Sequence, residues 1–280
     1  MKIGIVYFSG TGTTAAIAAE IARGFRDSIS PPLEVYLTRF DRCDKSCLAT
    51  CDILGFGAPT YSYRVVRQFS HFLTSLTTSP ELISAPKPYF LFLTCGGQPG
   101  NTFWDMYHIL SKKGWPLLAK FRVNAANNIR AWRPKTTKPP PADGFSAEDA
   151  ALAVDFAQQV LDAYSKIIEQ QTIPPLKIRG SLFFWVWGLL LSWPFEMRKV
   201  EGTKYLIETE CTQCRLCAEK ICTSGAISMG PTGYPVIENS KCIGCSGCVN
   251  LCPSLAIASN KTKAKHPFTR YQRFILNPPK

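Results

Sequence analysis

Eight of the twelve cysteines fall in two short runs late in the sequence, and their spacing specifies a chemistry. The second run reads Cys242-x2-Cys245-x2-Cys248-x3-Cys252-Pro253. A tight loop of that spacing delivers three thiolates to three irons of a cubane [4Fe–4S] cluster, and in two-cluster proteins the fourth cysteine of each run serves the other cluster. The first run, Cys211-x2-Cys214-x2-Cys217-x4-Cys222-Thr223, carries one more residue before its last cysteine and lacks the proline. We expect two clusters. One is held by Cys211, Cys214, Cys217 and Cys252, the other by Cys242, Cys245, Cys248 and Cys222. Zinc would be met by two spaced pairs of ligands, not two runs of four. Disulfides suit exported chains, and Met1–Phe8 reads as a strand entering a glycine turn rather than a signal peptide. Cluster-type cysteines without an export signal imply a reducing cytosol.

A second group with chemistry follows the first strand pattern: Ser9-Gly10-Thr11-Gly12-Thr13-Thr14, leading into a helix. Read for glycines alone, Gly10-x-Gly12-x-x-Ala15 with Glu34 further on suggests a dinucleotide fingerprint. The hydroxyls argue otherwise. Ser9, Thr11, Thr13 and Thr14 beside backbone N–H groups at a helix N-terminus suit a terminal phosphate monoester better than a bridging pyrophosphate. Flavin mononucleotide (FMN) has such a group. Two more loops agree, Pro59-Thr60-Tyr61 and Thr94-Cys95-Gly96-Gly97, which end the third and fourth strand patterns. Tyr61 can place its ring on the isoalloxazine face, Cys95 falls beside the flavin by position, and the glycines let backbone approach the ring edge.

The elements that must position these groups are legible in outline. Strand patterns cover Lys2–Phe8, Leu33–Leu37, Ile53–Gly57, Pro88–Thr94 and Phe121–Val123, the last running on to about Asn127. Helix patterns cover Thr13–Asp27, Arg64–Leu76, Asn101–Lys113 and Ser146–Glu169, the last opening on Ser146 with Asp149 three residues later. Apolar strands separated by helices predict an α/β fold, a doubly wound five-stranded parallel sheet. The cysteine runs need a second, small α+β domain. The expected limits are 1–172 for the FMN-binding domain, 173–202 for an apolar linker, 203–260 for the cluster domain and 261–280 for a basic tail. Arg130–Gly144, with Pro139-Pro140-Pro141, reads as an extended loop.

The Ser-Gly-Thr-Gly-Thr-Thr loop, the Pro59-Thr60-Tyr61 loop and the Gly-rich loop at Cys95–Gly97 resemble flavodoxin over about residues 1–172. Residues of about 203–260 resemble a bacterial-type 2[4Fe–4S] ferredoxin. The order is similar to that of the flavodoxin–ferredoxin fusions of anaerobic bacteria and archaea. That resemblance implies an intracellular electron carrier with FMN and two [4Fe–4S] clusters. The departures from it are the Cys217–Cys222 spacing and the apolar linker.

Two other functions compete with the carrier. One is an iron–sulfur flavoenzyme, an oxidoreductase acting at FMN on a small organic substrate such as a quinone. The other is a membrane-associated redox adaptor subunit of a larger complex. The linker motivates the second. Residues 181–195 are the most apolar stretch of the chain, yet only 16 residues separate Arg179 from Glu196, and a spanning helix needs about 20. The segment reads as a helix packed between domains or as one lying at a membrane or partner surface. Charge points the same way. The net charge is +12, with 18 basic and 14 acidic residues up to residue 172 and 14 against 6 beyond it. Lys261–Lys280 is basic and aromatic. Such a surface suits acidic redox partner proteins or the anionic inner face of a membrane, and no nucleic-acid-binding fold is evident. Cys43, Cys47 and Cys51, four apart, would share a helix face and read as ordinary thiols. His71, His108 and His266 have no ligand spacing.

Overall fold

The computed structural model describes residues 1–28, 33–83, 86–125, 145–171, 176, 178–192 and 201–261. The expected loop at Arg130–Gly144, the Trp193-Pro194-Phe195 end of the apolar stretch, His266 and the tail beyond Lys261 lie outside them.

The N-terminal unit alternates strands and helices: β1 (Lys2–Tyr7), α1 (Thr13–Asp27), β2 (Glu34–Arg39), α2 (Lys45–Ala49), β3 (Ile53–Pro59), α3 (Arg67–Thr77), α4 (Pro80–Ile83), β4 (Tyr89–Cys95), α5 (Thr102–Ser111), β5 (Leu117–Asn124) and α6 (Ala147–Ile168). The five strands form one sheet in the order β2-β1-β3-β4-β5, and every neighbouring pair is parallel. This is the flavodoxin-like doubly wound order, whose switch point lies between β1 and β3. The strands are apolar on both faces because both are covered. Ile3, Ile5, Phe90 and Phe92 face α1 and α6 through Ile17, Ile21, Phe156 and Val160. Leu54, Phe56, Tyr89 and Leu91 face α3 and α5 through Phe69, Leu73, Met106 and Leu110. Parallel strands put all their C-terminal ends on one edge, so the loops after β1, β3 and β4 are neighbours there.

Helix α7 (Leu182–Ser192) follows, and then a small unit built on two antiparallel ladders. Here β6 (Lys204–Leu206) pairs with β9 (Ile257–Ser259), and β7 (Ile227–Met229) with β8 (Pro235–Ile237). Between them lie a π-helical turn, Cys217–Ile221, and a short helix α8 (Gly247–Leu251). The core of this unit is only a few side chains, Ile221, Ile227, Val249, Leu251 and Ile257 among them, with Cys217 and Cys248. So small a core needs a staple, and the cysteines surround it.

Two expectations shift. β5 begins at Leu117, well before Phe121, because an edge strand alternates outward residues such as Lys120 and Arg122 that dilute its apolar signal. Helix α2 spans only Lys45–Ala49, so Cys43 and Cys51 flank it rather than share its face with Cys47. Burial pushes the Cys43 thiol up to about 12 and that of Cys51 to about 11. Both are protonated packing groups.

Candidate functional site

The two cysteine runs interleave. Cys211, Cys214, Cys217 and Cys252 line one hollow that opens to solvent, together with Leu206, Pro235 and Ile257. Burial pushes the Cys217 thiol up to about 11, and the charges of Cys252, Cys214 and Cys211 add to the shift. The other four are likewise neighbours. Cys248 is raised well above its ordinary value by burial, then by Cys245, Cys242 and Cys222. Burial pushes Cys245 up to about 12, with Cys242 and Cys222 again contributing. A thiol so raised is ionised by coordination to metal. Backbone N–H groups already point at sulfur: Gly244 N donates to Cys242 Sγ at 3.4 Å, and the N–H groups of Ala218 and Gly247 serve Cys217 and Cys245. Among the described residues no three His, Cys, Asp or Glu side chains converge on a single-ion site. Each set of four neighbouring thiols is the kind of donor set that a [4Fe–4S] cluster takes.

The extra residue between Cys217 and Cys222 has a structural answer. Cys222 N donates to Cys217 O at 3.0 Å, an i→i+5 bond, so the turn widens from α to π. Insertions absorbed as π-turns are typical of functional positions. The corresponding stretch of the second run stays α-helical, as α8. The wider turn still delivers Cys222 to its set. Ser224 and Ser254, each two residues past a fourth cysteine, place their hydroxyls 3.5 and 3.6 Å from Cys222 Sγ and Cys252 Sγ.

At the sheet edge, residues 9–14 form a buried loop into α1. Gly12 takes φ 105° at the helix start, no described side chain caps α1, and its first turn holds no acid. An uncapped, acid-free N-terminus is suited to an anion. Ser9 Oγ accepts from Gly12 N at 3.1 Å, and Thr14 Oγ1 lies 2.8 Å from Thr94 Oγ1, tying the loop to the end of β4. Both hydroxyls therefore shape the loop, while Thr11 and Thr13 are also buried in it. Thr60 N donates to Thr94 O, and Thr60 Oγ1 meets Thr102 Oγ1 at 2.9 Å, so the loops after β3 and β4 are locked together. Pro59 and Thr60 are half-buried and Cys95 is buried, whereas Gly96 and Gly97 are exposed. Tyr61 is only 5% exposed. Its ring meets Phe8 edge-on at 6.1 Å, so the structure seats it in the core below the loop. The loop at residues 9–14 thus has the donors and the helix end that a phosphate group takes.

Two elements close on this edge. Ser62 and Tyr63 hold left-handed φ values of 47° and 65°. The turn is kept by the paired Tyr61–Arg64 backbone bonds and by Arg64 Nε, which donates to Asp105 Oδ2 at 2.7 Å. Helix α7 lies on that turn. The Asn101 side chain grips Ser181 through both its amide atoms, at 2.9 and 2.8 Å, and the Tyr63 ring meets Phe184 at 5.0 Å. The other faces of α7 are open, with Leu182, Phe183, Trp185, Val186, Trp187 and Leu190 exposed. No described helix is long and apolar enough to cross a membrane.

The small unit docks beside it. A Cβ on Gly10 would stand 2.5 Å from the Tyr61 hydroxyl and 3.3 Å from the Cβ and carbonyl oxygen of Cys245. A Cβ on Gly247 would stand 2.5 Å from the carbonyl oxygen of Gly10. Only glycine allows such backbone approach. Ile243 joins the core that holds Phe8 and Tyr61. From the end of β2, Arg39 Nη1 donates to Lys220 O at 2.5 Å, and Arg42 Nη2 to Glu219 O at 3.0 Å.

Four residues at the site carry no sequence signal. Arg39 and Arg42 carry no motif. Lys204 and Glu201 are buried together beside the second set. Lys204 Nζ is 3.8 Å from Glu201 Oε2 and donates to Glu201 O at 2.9 Å. Its charge pulls the Cys245 and Cys248 thiols down against burial. Nothing in their spacing marked them.

Residues 210–257 match the model of the 4Fe-4S dicluster domain. The chain is 35% identical over 89 residues to the arsenate respiratory reductase iron-sulfur subunit ArrB of Shewanella sp. (strain ANA-3), a match covering 29% of this chain and 36% of that one. This chain thus spans about a third of the length of that curated relative. Similar solved structures include a flavodoxin from the domain Archaea (20% identity, 57% of this chain and 99% of that one, TM-score 0.40). The two-electron reduced flavodoxin of Megasphaera elsdenii is another (21% identity, 56% and 98%, TM-score 0.40). A flavone reductase is a third (13% identity, 62% and 66%, TM-score 0.45). The fold class of the first unit rests on its strand order.

Proposed function

We propose that this chain, a flavodoxin-like domain joined to a 4Fe-4S dicluster domain, is an electron-transfer protein that moves electrons between FMN and two [4Fe–4S] clusters. The observation that carries the reading is the interleaving of two four-cysteine sets beside a hydroxyl-rich loop at the switch point of the sheet. FMN exchanges one or two electrons and each cubane one, so their union converts between single-electron and two-electron couples. Cys211, Cys214, Cys217 and Cys252 would hold one cluster, and Cys222, Cys242, Cys245 and Cys248 the other. Ser9 to Thr14 would hold the phosphate, with Pro59, Thr60, Tyr61, Thr94, Cys95, Gly96 and Gly97 framing the rest. Protein redox partners in the cytoplasm follow from this reading. The relative named as an iron-sulfur subunit of a reductase lends it support. The buried position of Tyr61 favours a carrier over a flavoenzyme that admits an organic substrate above that ring.

The test is composition. Protein purified anaerobically should carry one FMN and about eight irons per chain. Thr11→Ala with Thr13→Ala should lose at least tenfold in flavin affinity with iron unchanged. Flavin held at wild-type affinity would refute the loop assignment.

The exposed face of α7 favours peripheral contact with an anionic membrane as a second element of the function. Salt-sensitive flotation with anionic vesicles is expected, weakened by Trp185→Ser with Trp187→Ser. Wild-type protein that stays in the soluble fraction at low salt refutes it.

A further inference from the structure

The two cysteine sets are not equivalent with respect to the rest of the molecule. Cys245 and Gly247 of one run rest directly on Gly10 of the loop at the switch point. Ile243, one residue before Gly244, enters the core beneath Phe8 and Tyr61. Cys222 follows the π-turn whose carbonyls at Glu219 and Lys220 take hydrogen bonds from Arg42 and Arg39. The contacts of Ile243, Cys245 and Gly247 come from the run of the set Cys222, Cys242, Cys245 and Cys248, and the π-turn held by the arginines joins Cys217 of the other set to Cys222 of this one. The other set looks outward. Cys214 is exposed, as are Thr212, Gln213 and Arg215 around it, and its hollow opens to solvent.

Resting on the proposed cofactors, we propose an ordered path. The cluster of Cys222, Cys242, Cys245 and Cys248 is the inner centre, facing the flavin. The cluster of Cys211, Cys214, Cys217 and Cys252 is the outer port, where a one-electron carrier protein exchanges electrons with the chain. In the reducing direction the carrier is oxidised by one electron at the port, and that electron passes to the inner centre and then to the flavin. Two such passes and two protons from solvent complete the flavin's reduction. The last carbonyls of a helical turn are free to accept from outside, and here Glu219 and Lys220 are the hooks by which the first unit holds the turn that leads to Cys222.

The experiment uses the full chain, reconstituted with FMN and iron, in three variants. Cys222→Ser removes an inner ligand and Cys214→Ser an outer one. Arg39→Ala with Arg42→Ala keeps all eight cysteines. Two signals are read: flavin fluorescence, which a neighbouring cluster quenches, and hydrogen exchange at residues 9–14. Loss of the inner ligand should raise fluorescence several-fold and speed exchange at residues 9–14 at least tenfold. The double arginine variant should do the same with iron content intact. Cys214→Ser should leave both signals within twofold of wild type. The reverse pattern, or equal effects of the two cysteine variants, overturns the order. Exchange is also read in flavin-free protein. A chain that binds no FMN fails the functional reading in the composition test, whereas full cofactor content with the wrong pattern fails this inference alone.

Discussion

At the scale of single residues, Lys204 shows how a group without any motif can act on a cofactor. It sits inside the small unit with Glu201, and its charge reaches Cys245 and Cys248 but is not among the causes acting on Cys217. A cluster gains negative charge on reduction, so a cation beside it favours the reduced form. Lys204→Met tests this, with Glu201→Gln as the control that should move the same midpoint the other way. The midpoint of one cluster should fall by roughly 60 mV, a tenfold shift for one electron. The other cluster should hold its value. Potentiometric titration followed by paramagnetic resonance reads both, and a fall in the cluster of Cys211, Cys214 and Cys217 would place the cation wrongly. The eight cysteines were legible because ligand spacing is a local property of the chain. Lys204 was not, because burial and proximity are made by the pairing of β6 with β9.

Among elements, legibility tracked the strength of local signals. Helix α1 begins and ends where periodicity places it, and α6 opens on the reciprocal Ser146–Asp149 capping box. Both cover one face of the sheet and show it as an apolar stripe. Helix α7 has no stripe, so the sequence could announce an apolar segment without saying which side docks. The structure answers with Asn101. Its buried amide satisfies both backbone groups of Ser181, and Phe184 follows it onto Tyr63. Asn101→Ala leaves the Ser181 N–H unpaired, while its carbonyl keeps the bond from Trp185 N, at a cost of about 1–3 kcal/mol. Hydrogen exchange across 181–192 should speed up while that of β1 and β3 stays slow. Unchanged protection of α7 would mean that its apolar contacts alone hold it. The insertion before Cys222 was equally visible as a count and equally silent as a shape. Widening to a π-turn rather than bulging outward depends on the partners that receive its carbonyls.

For the whole molecule, both halves carry an excess of basic residues, 18 against 14 up to residue 172 and 14 against 6 beyond it. Like charge should drive them apart. Their junction avoids the problem because its arginines meet carbonyl oxygens at the end of a helical turn, where the backbone dipole is negative. One consequence of the Gly10–Cys245 contact belongs to thermodynamics. If iron must be in place to shape the chain around Cys245, then metal occupancy and flavin affinity are linked through that contact, and linkage is reciprocal. The factor by which cluster loading changes the flavin dissociation constant must equal the factor by which flavin changes retention of the inner cluster against a chelator. Titrating FMN into iron-free and iron-loaded protein gives the first factor, and equilibrium competition for iron with and without FMN gives the second. A common factor different from one would make this chain a sensor of its own assembly, in which neither cofactor settles without registering the other; two factors of one would show a junction that touches without communicating.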